Sequence, residues 1–154
     1  MNLAHYLARR GMPQQVIDDL LPYIPRPGKQ HVFCDAATIM NSERWFYWPG
    51  QTRFVVVGQC PNGDAVAIDI QKEPGAVFYV NHELVNDDRP LEETVIRVAD
   101  SPSDFIQKFL DEGDLPYDYF EAKSRDTEPD AAPKGGPARR LGNPGVTERP
   151  STVN

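Results

Sequence analysis

The stretch that decides the fold is FVVVGQCPNGDAVAIDI, residues 54–70. Its four consecutive apolar residues at 54–57 predict a strand that is buried on both faces. The Asn62-Gly63 pair supplies the positive φ angles that a tight hairpin turn requires. Residues 65–70 then carry a larger apolar side chain at every second position, as a strand does. The stretch therefore predicts two antiparallel strands joined by a hairpin.

Two further strands extend the predicted hairpin into a sheet. The turn residues Glu73-Pro74-Gly75 precede a third β-rich stretch at 76–81, AVFYVN, and residues 94–98 form a fourth. Closely spaced hairpin turns are typical of an antiparallel meander, so this is the predicted topology.

Two short helices are predicted before the strands. Leu3 and Leu7 lie four residues apart within residues 2–10, and Gly11 is suited to end that helix. Residues 13–21 begin with a proline, which fits the first turn, and carry an apolar stripe that would face a core.

A capped helix is predicted after the strands. Ser101 is suited to cap it, Pro102 fits its first position and Gly113 would end it. Its apolar stripe is Phe105, Ile106, Phe109 and Leu110. The fold class predicted is therefore α+β: an antiparallel meander with N-terminal helices and a C-terminal helix packed on it.

The segment at 29–50 has the least regular pattern. Residues 31–33, HVF, are suited to a short strand, and residues 36–48 to a helix. Residues 45–48, WFYW, form an aromatic block. We expect it to pack in the core, with an exposed part as an alternative that would anchor a partner.

The C-terminal segment at 121–154 differs in composition from the rest. It has five prolines and four glycines but no Phe, Trp, Tyr or Ile. So little apolar surface cannot offset the entropy of ordering a backbone. We therefore predict one folded domain over residues 1–120 and a disordered tail over residues 121–154.

The predicted domain is acidic. Residues 1–120 hold ten Lys and Arg against eighteen Asp and Glu, a net charge of −8, whereas the tail is near neutral. An acidic domain repels phosphate backbones, which argues against nucleic-acid binding. The charge suits a basic protein partner, and solubility alone is the alternative explanation.

The sequence lacks the patterns of a secretory signal and of a membrane-spanning segment. The N-terminus MNLAHYLARRGMPQQ has no apolar core of a secretory signal, and no apolar run approaches the roughly eighteen residues that span a bilayer. Two cysteines make no disulfide framework. We expect a cytoplasmic protein without membrane association.

Catalytic motifs are scarce. The sequence has no GxSxG, Walker A, GxGxxG or HExxH pattern. His5 is expected on the surface. His31 and Cys34 have the spacing of two metal ligands, but no second pair completes a zinc site. Cys60 is expected to be structural or incidental, because its nearest charged neighbour, Asp64, has the wrong sign to activate a thiol.

Four polar residues deserve a separate hypothesis because adjacent strands would bring them together. They are Asp64, Asp69, His82 and Glu83. One interpretation is a metal or acid–base cluster in a small metal-dependent enzyme. The interpretation we favour is structural: Asp64 binds turn amides, Asp69 points to solvent or a rim, and His82-Glu83 fix a strand end.

Residues 50–112 resemble the SUKH superfamily, which joins fungal cell-wall regulators to bacterial immunity proteins. The resemblance is carried by short motifs: Gly58, Gly63-Asp64 and Ile68-Asp69, then Val77, Tyr79, His82 and Glu83, then Ala99, Ser101 and Phe105. It implies an α+β domain without catalytic activity, cofactor or metal.

The resemblance also implies a function. Bacterial members are similar to immunity proteins that bind and neutralise polymorphic, contact-delivered toxins, often basic nucleases. We therefore expect a protein-binding immunity protein, with a regulatory scaffold as the first alternative and the metal-dependent enzyme as the second. The family shares no toxin-contacting motif, so no site residue is carried over.

Overall fold

The computed structural model describes residues 1–28, 32–111 and 115–127 of the 154-residue chain. The helices are α1 (Leu3–Arg9), α2 (Gln14–Leu20), α3 (Ala36–Met40), α4 (Pro102–Leu110) and α5 (Tyr119–Thr127). The strands are β1 (Phe54–Gln59), β2 (Ala65–Asp69), β3 (Val77–Val80) and β4 (Val95–Ala99). The predicted α+β class is confirmed. None of the described helices is long and apolar enough to cross a membrane.

The sheet is an antiparallel meander of order β1-β2-β3-β4, as predicted. Gly63 and Gly75, in the two hairpin turns, have φ angles of 99° and 101°. A residue with a side chain rarely adopts such angles, which is why glycine occupies both turns. The turn chemistry of the sequence therefore sets the strand order.

Both faces of the sheet are buried, although antiparallel sheets commonly leave one face in water. The helix-covered face packs against α1, α2 and α4 and carries Val55, Val57, Val66, Ile68, Val77 and Tyr79. The opposite, aromatic-covered face carries Phe54, Val56, Ala65, Ala67, Phe78 and Val80. Every residue of β2 and β3 is buried as a result.

The aromatic block at 45–48 covers this second face. Trp48 stacks on Phe54 with ring centroids 5.4 Å apart, and Phe46 meets Trp48 edge-on at 5.9 Å. The expectation that the block packs in the core is confirmed for these residues, whereas Tyr47 is 69% exposed. Small alanines at the centre of the face leave room for the large rings.

The helix predicted over residues 36–48 is wrong in length. It ends at Met40, and a 3₁₀ turn at Ser42–Arg44 follows. A continuous helix would distribute the four aromatic side chains around its axis, about 100° apart. The break at Asn41 instead directs the chain along the sheet, so that the aromatic rings reach one face.

The chain at 32–34 approaches the sheet at Gly58. Phe33 forms an isolated bridge with Gly58, and the N–H of Cys34 donates to the carbonyl of Val57 at 2.9 Å. The strand predicted at 31–33 is thus reduced to one bridge, and its residue His31 lies outside the described residues. A Cβ placed on Gly58 would lie 2.3 Å from the carbonyl oxygen of Val32. Glycine is required here for close approach, not for an unusual φ angle.

Helix α4 starts as predicted but buries only part of its predicted stripe. Ser101 Oγ accepts the N–H of Asp104 at 3.0 Å, and Pro102 occupies the first position. Phe105 and Ile106 are buried in the core, whereas Phe109 and Leu110 in the last turn are 46% and 66% exposed. The predicted stripe is therefore buried in its first half and exposed in its second. Gly113, expected to end the helix, lies outside the described residues.

Helix α5 crosses the boundary predicted between domain and tail at residue 120. Tyr119 and Ala122 are buried in the core, and residues 1–122 form one compact unit. Of the chain beyond this unit the structure describes residues 123–127, the end of α5. The predicted boundary at residue 120 falls within the first turn of α5, and the compact unit ends at Ala122. The rest of the predicted tail, 128–154, lies outside the described residues.

We predict that Gly58→Ala lowers the free energy of unfolding by about 3 kcal/mol, because the new methyl group overlaps the Val32 carbonyl. Urea denaturation followed by tryptophan fluorescence measures this. Gly50→Ala is the matched control. Its φ of +79° is strained for alanine, but nothing lies within 4 Å of the added Cβ, so we expect a smaller loss, of about 1 kcal/mol. Equal losses in the two variants would contradict the close-approach argument.

Candidate functional site

The carboxylate of Asp64 is fully buried at the start of β2. Its Oδ1 accepts the backbone N–H of His82 at 3.0 Å and lies 2.6 Å from His82 Nδ1. Its Oδ2 accepts the backbone N–H of Tyr119 and the side-chain N–H of Asn62, both at 3.0 Å. One side chain therefore joins the hairpin turn, the end of β3 and the start of α5.

This geometry modifies the structural interpretation of Asp64. The expected partners were amides of its own turn, but two of the actual donors lie 18 and 55 residues away. The local Asx-type bond runs the other way, from the Asp64 N–H to Asn62 Oδ1. The His82 side chain is 36% exposed, and its ring lies 3.8 Å from the position that a Cβ on Gly63 would take, so it covers the hairpin turn.

Asp69 anchors the opposite end of β2. Its Oδ2 accepts Nη2 and Nε of Arg53 at 2.8 and 3.1 Å. Its two oxygens also accept the backbone N–H groups of the following turn at residues 71, 72 and 73. The prediction that Asp69 points to solvent or a rim is wrong. Because the turn folds back beneath it, its donors supply partners that a buried carboxylate needs.

Arg53 makes this buried ion pair compatible with an apolar face. Its guanidinium lies 4.7 Å from the ring centre of Phe54 and 5.4 Å from that of Phe78. Burial raises the pKa of Asp69, but the Arg53 hydrogen bonds and the three turn N–H groups outweigh burial and hold that pKa below its ordinary value. Asp69 thus stays ionised in its pair.

The structure does not gather the four candidate residues into one cluster. Asp64 and Asp69 lie at opposite ends of β2, roughly 16 Å apart for five strand steps. Glu83 is exposed, and its backbone N–H donates to Asn81 Oδ1 at 2.8 Å. Within the described residues, no three His, Cys, Asp or Glu side chains are grouped so that they could hold a metal ion. Only Asp64 and His82 meet.

Asn81 is a structural residue that sequence reasoning missed. It is fully buried at the end of β3, and its Oδ1 accepts the N–H groups of Glu83 and Leu84. Its Nδ2 has no hydrogen-bond partner among the described residues. Its place directly after a strand was the available signal, because Asn side chains commonly bind the backbone two residues on.

The cysteines have the chemistry of inert thiols. Burial, with the charge of Asp35, raises the pKa of Cys34 to about 11. Burial, with the charges of Asp64 and Asp118, raises the pKa of Cys60 well above its ordinary value. Both shifts disfavour the thiolate, the reactive form. The structural interpretation of Cys60 is thereby supported, and His5 is exposed as predicted.

The apolar surface is concentrated near the C-terminal end of the compact unit. Among the described residues, six large hydrophobic side chains are exposed, and four of them fall within residues 109–120. They are Phe109, Leu110, Tyr117 and Phe120. Phe109 and Tyr117 line one cleft of about 540 Å³, which we call the α4–α5 cleft. Its lining also includes Val32, Gln59, Cys60, Pro61, Tyr79, Lys108, Leu115 and Pro116.

This cleft is the candidate site because it is open, apolar and firmly built. The Tyr79 hydroxyl donates to the Pro116 carbonyl at 2.6 Å and fastens the 115–117 wall to the sheet. Tyr119 holds the same wall through Asp64 and through the carbonyl of Glu93. The sequence held a signal for it: an apolar stripe that continues into the last turn of a helix, followed by LPYDYF.

Comparison with known proteins gives no match to a family model, to a curated protein or to a solved structure. The resemblance to the SUKH superfamily therefore stays a prediction from the motifs. The structure assigns most of those polar motif residues to hairpin turns, strand ends and a helix cap.

Asp64→Asn is expected to lower the free energy of unfolding by about 3 kcal/mol. The amide keeps one acceptor oxygen, so its NH2 group faces one of the two buried backbone donors, the N–H of His82 or that of Tyr119, and the buried charge is lost. Chemical denaturation at pH 7 measures the loss. Asp88→Asn, on an exposed residue, is the control and should change stability by less than about 0.5 kcal/mol. Similar values for the two variants would show that Asp64 does not hold the fold.

Asp69→Asn tests the ion pair through its pH dependence. The folded pKa of Asp69 is depressed below the unfolded value of about 3.9, so its stabilisation is complete above about pH 5 and is lost as the pH falls through the folded pKa. We expect the variant to be less stable by about 3 kcal/mol at pH 7, since Arg53 loses its partner.

The difference in free energy of unfolding between wild type and Asp69→Asn should then shrink below about pH 4. Urea titrations at pH 7, 5, 4 and 3 measure it. A difference that stays constant down to pH 3 would contradict the assignment of a depressed pKa to Asp69.

Proposed function

We propose that this chain is a non-catalytic protein-binding module that serves as an immunity protein and neutralises a polymorphic or contact-delivered toxin by binding it. The observation that carries the proposal is the concentration of four exposed apolar side chains within residues 109–120. Exposed apolar side chains that line a shared cleft, as Phe109 and Tyr117 do, mark interaction sites.

The use of the polar residues supports a non-catalytic role. The carboxylate oxygens of Asp64 and Asp69 accept hydrogen bonds from backbone and side-chain donors inside the fold. Their positions at opposite ends of β2 also weaken the alternative of a metal-dependent enzyme. A general base needs a lone pair within reach of a substrate, and these oxygens face the interior.

The charge supports a basic partner. Residues 1–120 carry a net charge of −8, and many of the acidic residues are exposed, such as Asp87, Asp88, Glu92 and Glu93. Complementary charge accelerates association and selects against acidic partners. A basic toxin such as a nuclease would be steered to this domain and occluded by it. Both cysteines are free thiols, which suits a reducing compartment, and we propose a cytoplasmic location.

The test is co-expression with a toxin, for which the genes that neighbour this one are the first candidates. We expect this chain to restore growth of cells that express the toxin, and the purified pair to bind with a Kd of about 10 nM or tighter. Calorimetry measures the affinity, and a toxin from an unrelated locus serves as the negative control. Failure to protect, together with no binding, would overturn the proposal.

A truncation separates occlusion by the domain from recruitment through the C-terminal segment. The cut belongs after Thr127, because a cut at residue 120 would remove the buried Ala122 and shorten α5. We expect chain 1–127 to bind and protect as the full chain does. Loss of binding with retained stability would favour the scaffold alternative instead.

A further inference from the structure

The α4–α5 cleft has two exposed aromatic side chains in its lining. Phe109 and Tyr117 are 46% and 57% exposed and lie on its two walls. Leu115, Pro116 and Pro61 continue the apolar lining, and the buried Tyr79 and Cys60 contribute to it from the sheet side. This combination provides a slot for one apolar side chain rather than a flat patch.

A second cleft adjoins the first and extends it into a groove. The two share Val32, Gln59, Cys60, Pro61 and Phe109. The second continues past Asn62 and Gly63 to Asp35 and Thr38 at the start of α3. The groove therefore has length for several residues of an extended chain, with the apolar slot at one end.

Hydrogen bonds tie the walls of the slot to the rest of the unit. The hydrogen bond from Tyr79 to Pro116 ties the 115–117 wall to β3. Phe109 lies on α4, whose start is capped by Ser101 and tied to α2 through the Ser103 N–H and Asp19. A rigid surface loses little conformational entropy on binding, which favours affinity.

The charges beside the groove are acidic. Asp118 follows Tyr117 directly and lies near enough to Cys60 to raise the pKa of that thiol. Asp35 lines the far end. The one cation among the lining residues that the structure describes, Lys108, lies 3.5 Å from the carboxylate of Asp104 and donates to the Val98 carbonyl. Lys108 is thus paired with Asp104, whereas Asp35 and Asp118 have backbone N–H groups but no cation as partners among the contacts of the described residues.

We propose that this groove binds a basic polypeptide segment of the partner. An apolar side chain of that segment enters between Phe109 and Tyr117, and flanking Lys or Arg side chains lie against Asp118 and Asp35. The inference rests on the proposed function, for which it names the binding face and the chemistry of the partner's segment. The apolar anchor supplies affinity, and the carboxylates favour segments that carry Lys or Arg beside the anchor.

The direct test is an NMR titration of the ¹⁵N-labelled full chain with a defined peptide, acetyl-Gly-Lys-Arg-Leu-Trp-Lys-Arg-Gly-amide. We expect chemical-shift changes at the groove, at the amides of Cys60, Phe109 and Tyr117. Two control peptides are matched in length. One replaces Lys and Arg by Glu, and the other replaces Leu and Trp by Ser; both should bind at least about tenfold more weakly.

Variants locate the effect on the protein. Phe109→Ser with Tyr117→Ser should weaken binding of the peptide by about tenfold or more, because both apolar walls are lost. Asp35→Asn with Asp118→Asn should weaken it by a few fold and flatten its salt dependence. Asparagine keeps both helix caps and removes the charge, together with the hydrogen bond from the Gly28 N–H to Asp35. Tyr47→Ser, on an exposed aromatic residue outside the groove, is the control and should bind as wild type.

Three results would overturn the inference: equal binding of the acidic peptide, shifts confined to residues outside the groove, or wild-type affinity of the Phe109/Tyr117 double variant. Concentration-dependent chemical-shift changes at the groove residues without peptide would also overturn it, in favour of a second copy as occupant.

The test of the groove can be told apart from the test of the proposed function. If the double variant still neutralises the toxin, the groove is not the binding face, but the proposed function stands. If the peptide binds in the groove but no toxin is neutralised, the groove stands as a binding site and the proposed function is wrong.

Discussion

The buried carboxylate of Asp64 is the interaction on which the remainder of the unit depends. It accepts hydrogen bonds from three parts of the chain that are far apart in sequence: the β1–β2 turn, His82 just beyond β3 and the first residue of α5. A buried carboxylate without donors would be strongly unfavourable, so its presence constrains all three to meet. Hydrogen bonds to a charged group also exceed neutral ones, at about 1.5–3 kcal/mol each. Through Tyr119 the same carboxylate positions the wall of the α4–α5 cleft, so the core and the candidate binding surface share one polar anchor.

A second constraint is the burial of the sheet on both faces. Helices cover one face in the ordinary way of an α+β fold. The other is covered by a short aromatic segment, because α3 stops at Met40 and the chain then runs across β1. Asp69 and Arg53 close the end of that face with a paired charge that also lies against aromatic rings. Small alanines in β2 and large rings around them complement each other in volume, which a well-packed interior requires.

These two constraints leave the buried carboxylates occupied and the surface available for recognition. The residues with the richest chemistry, Asp64, Asp69 and His82, are held in the architecture. What remains at the surface is an acidic domain with a rigid apolar groove beside α4 and the 115–118 segment. Such a combination suits binding of a basic protein, because apolar anchors supply affinity while charge supplies steering and selectivity. The proposed role as an immunity protein draws on this distribution more than on any single residue.

The sequence by itself determined the four strands, their antiparallel order, the capped start of α4 and the two N-terminal helices. These features depend on local rules: alternation, Asn-Gly and Pro-Gly turns, and a Ser-Pro helix start. Only the tertiary structure decided that α3 ends early, that Asp69 is buried, that Phe109 and Leu110 face solvent and that α5 extends past residue 120. Each of these depends on a partner distant along the chain, such as the β1 face for the aromatic block or Arg53 for Asp69. Local periodicity shows that a side chain is able to be buried, but only the packed neighbours determine whether anything covers it.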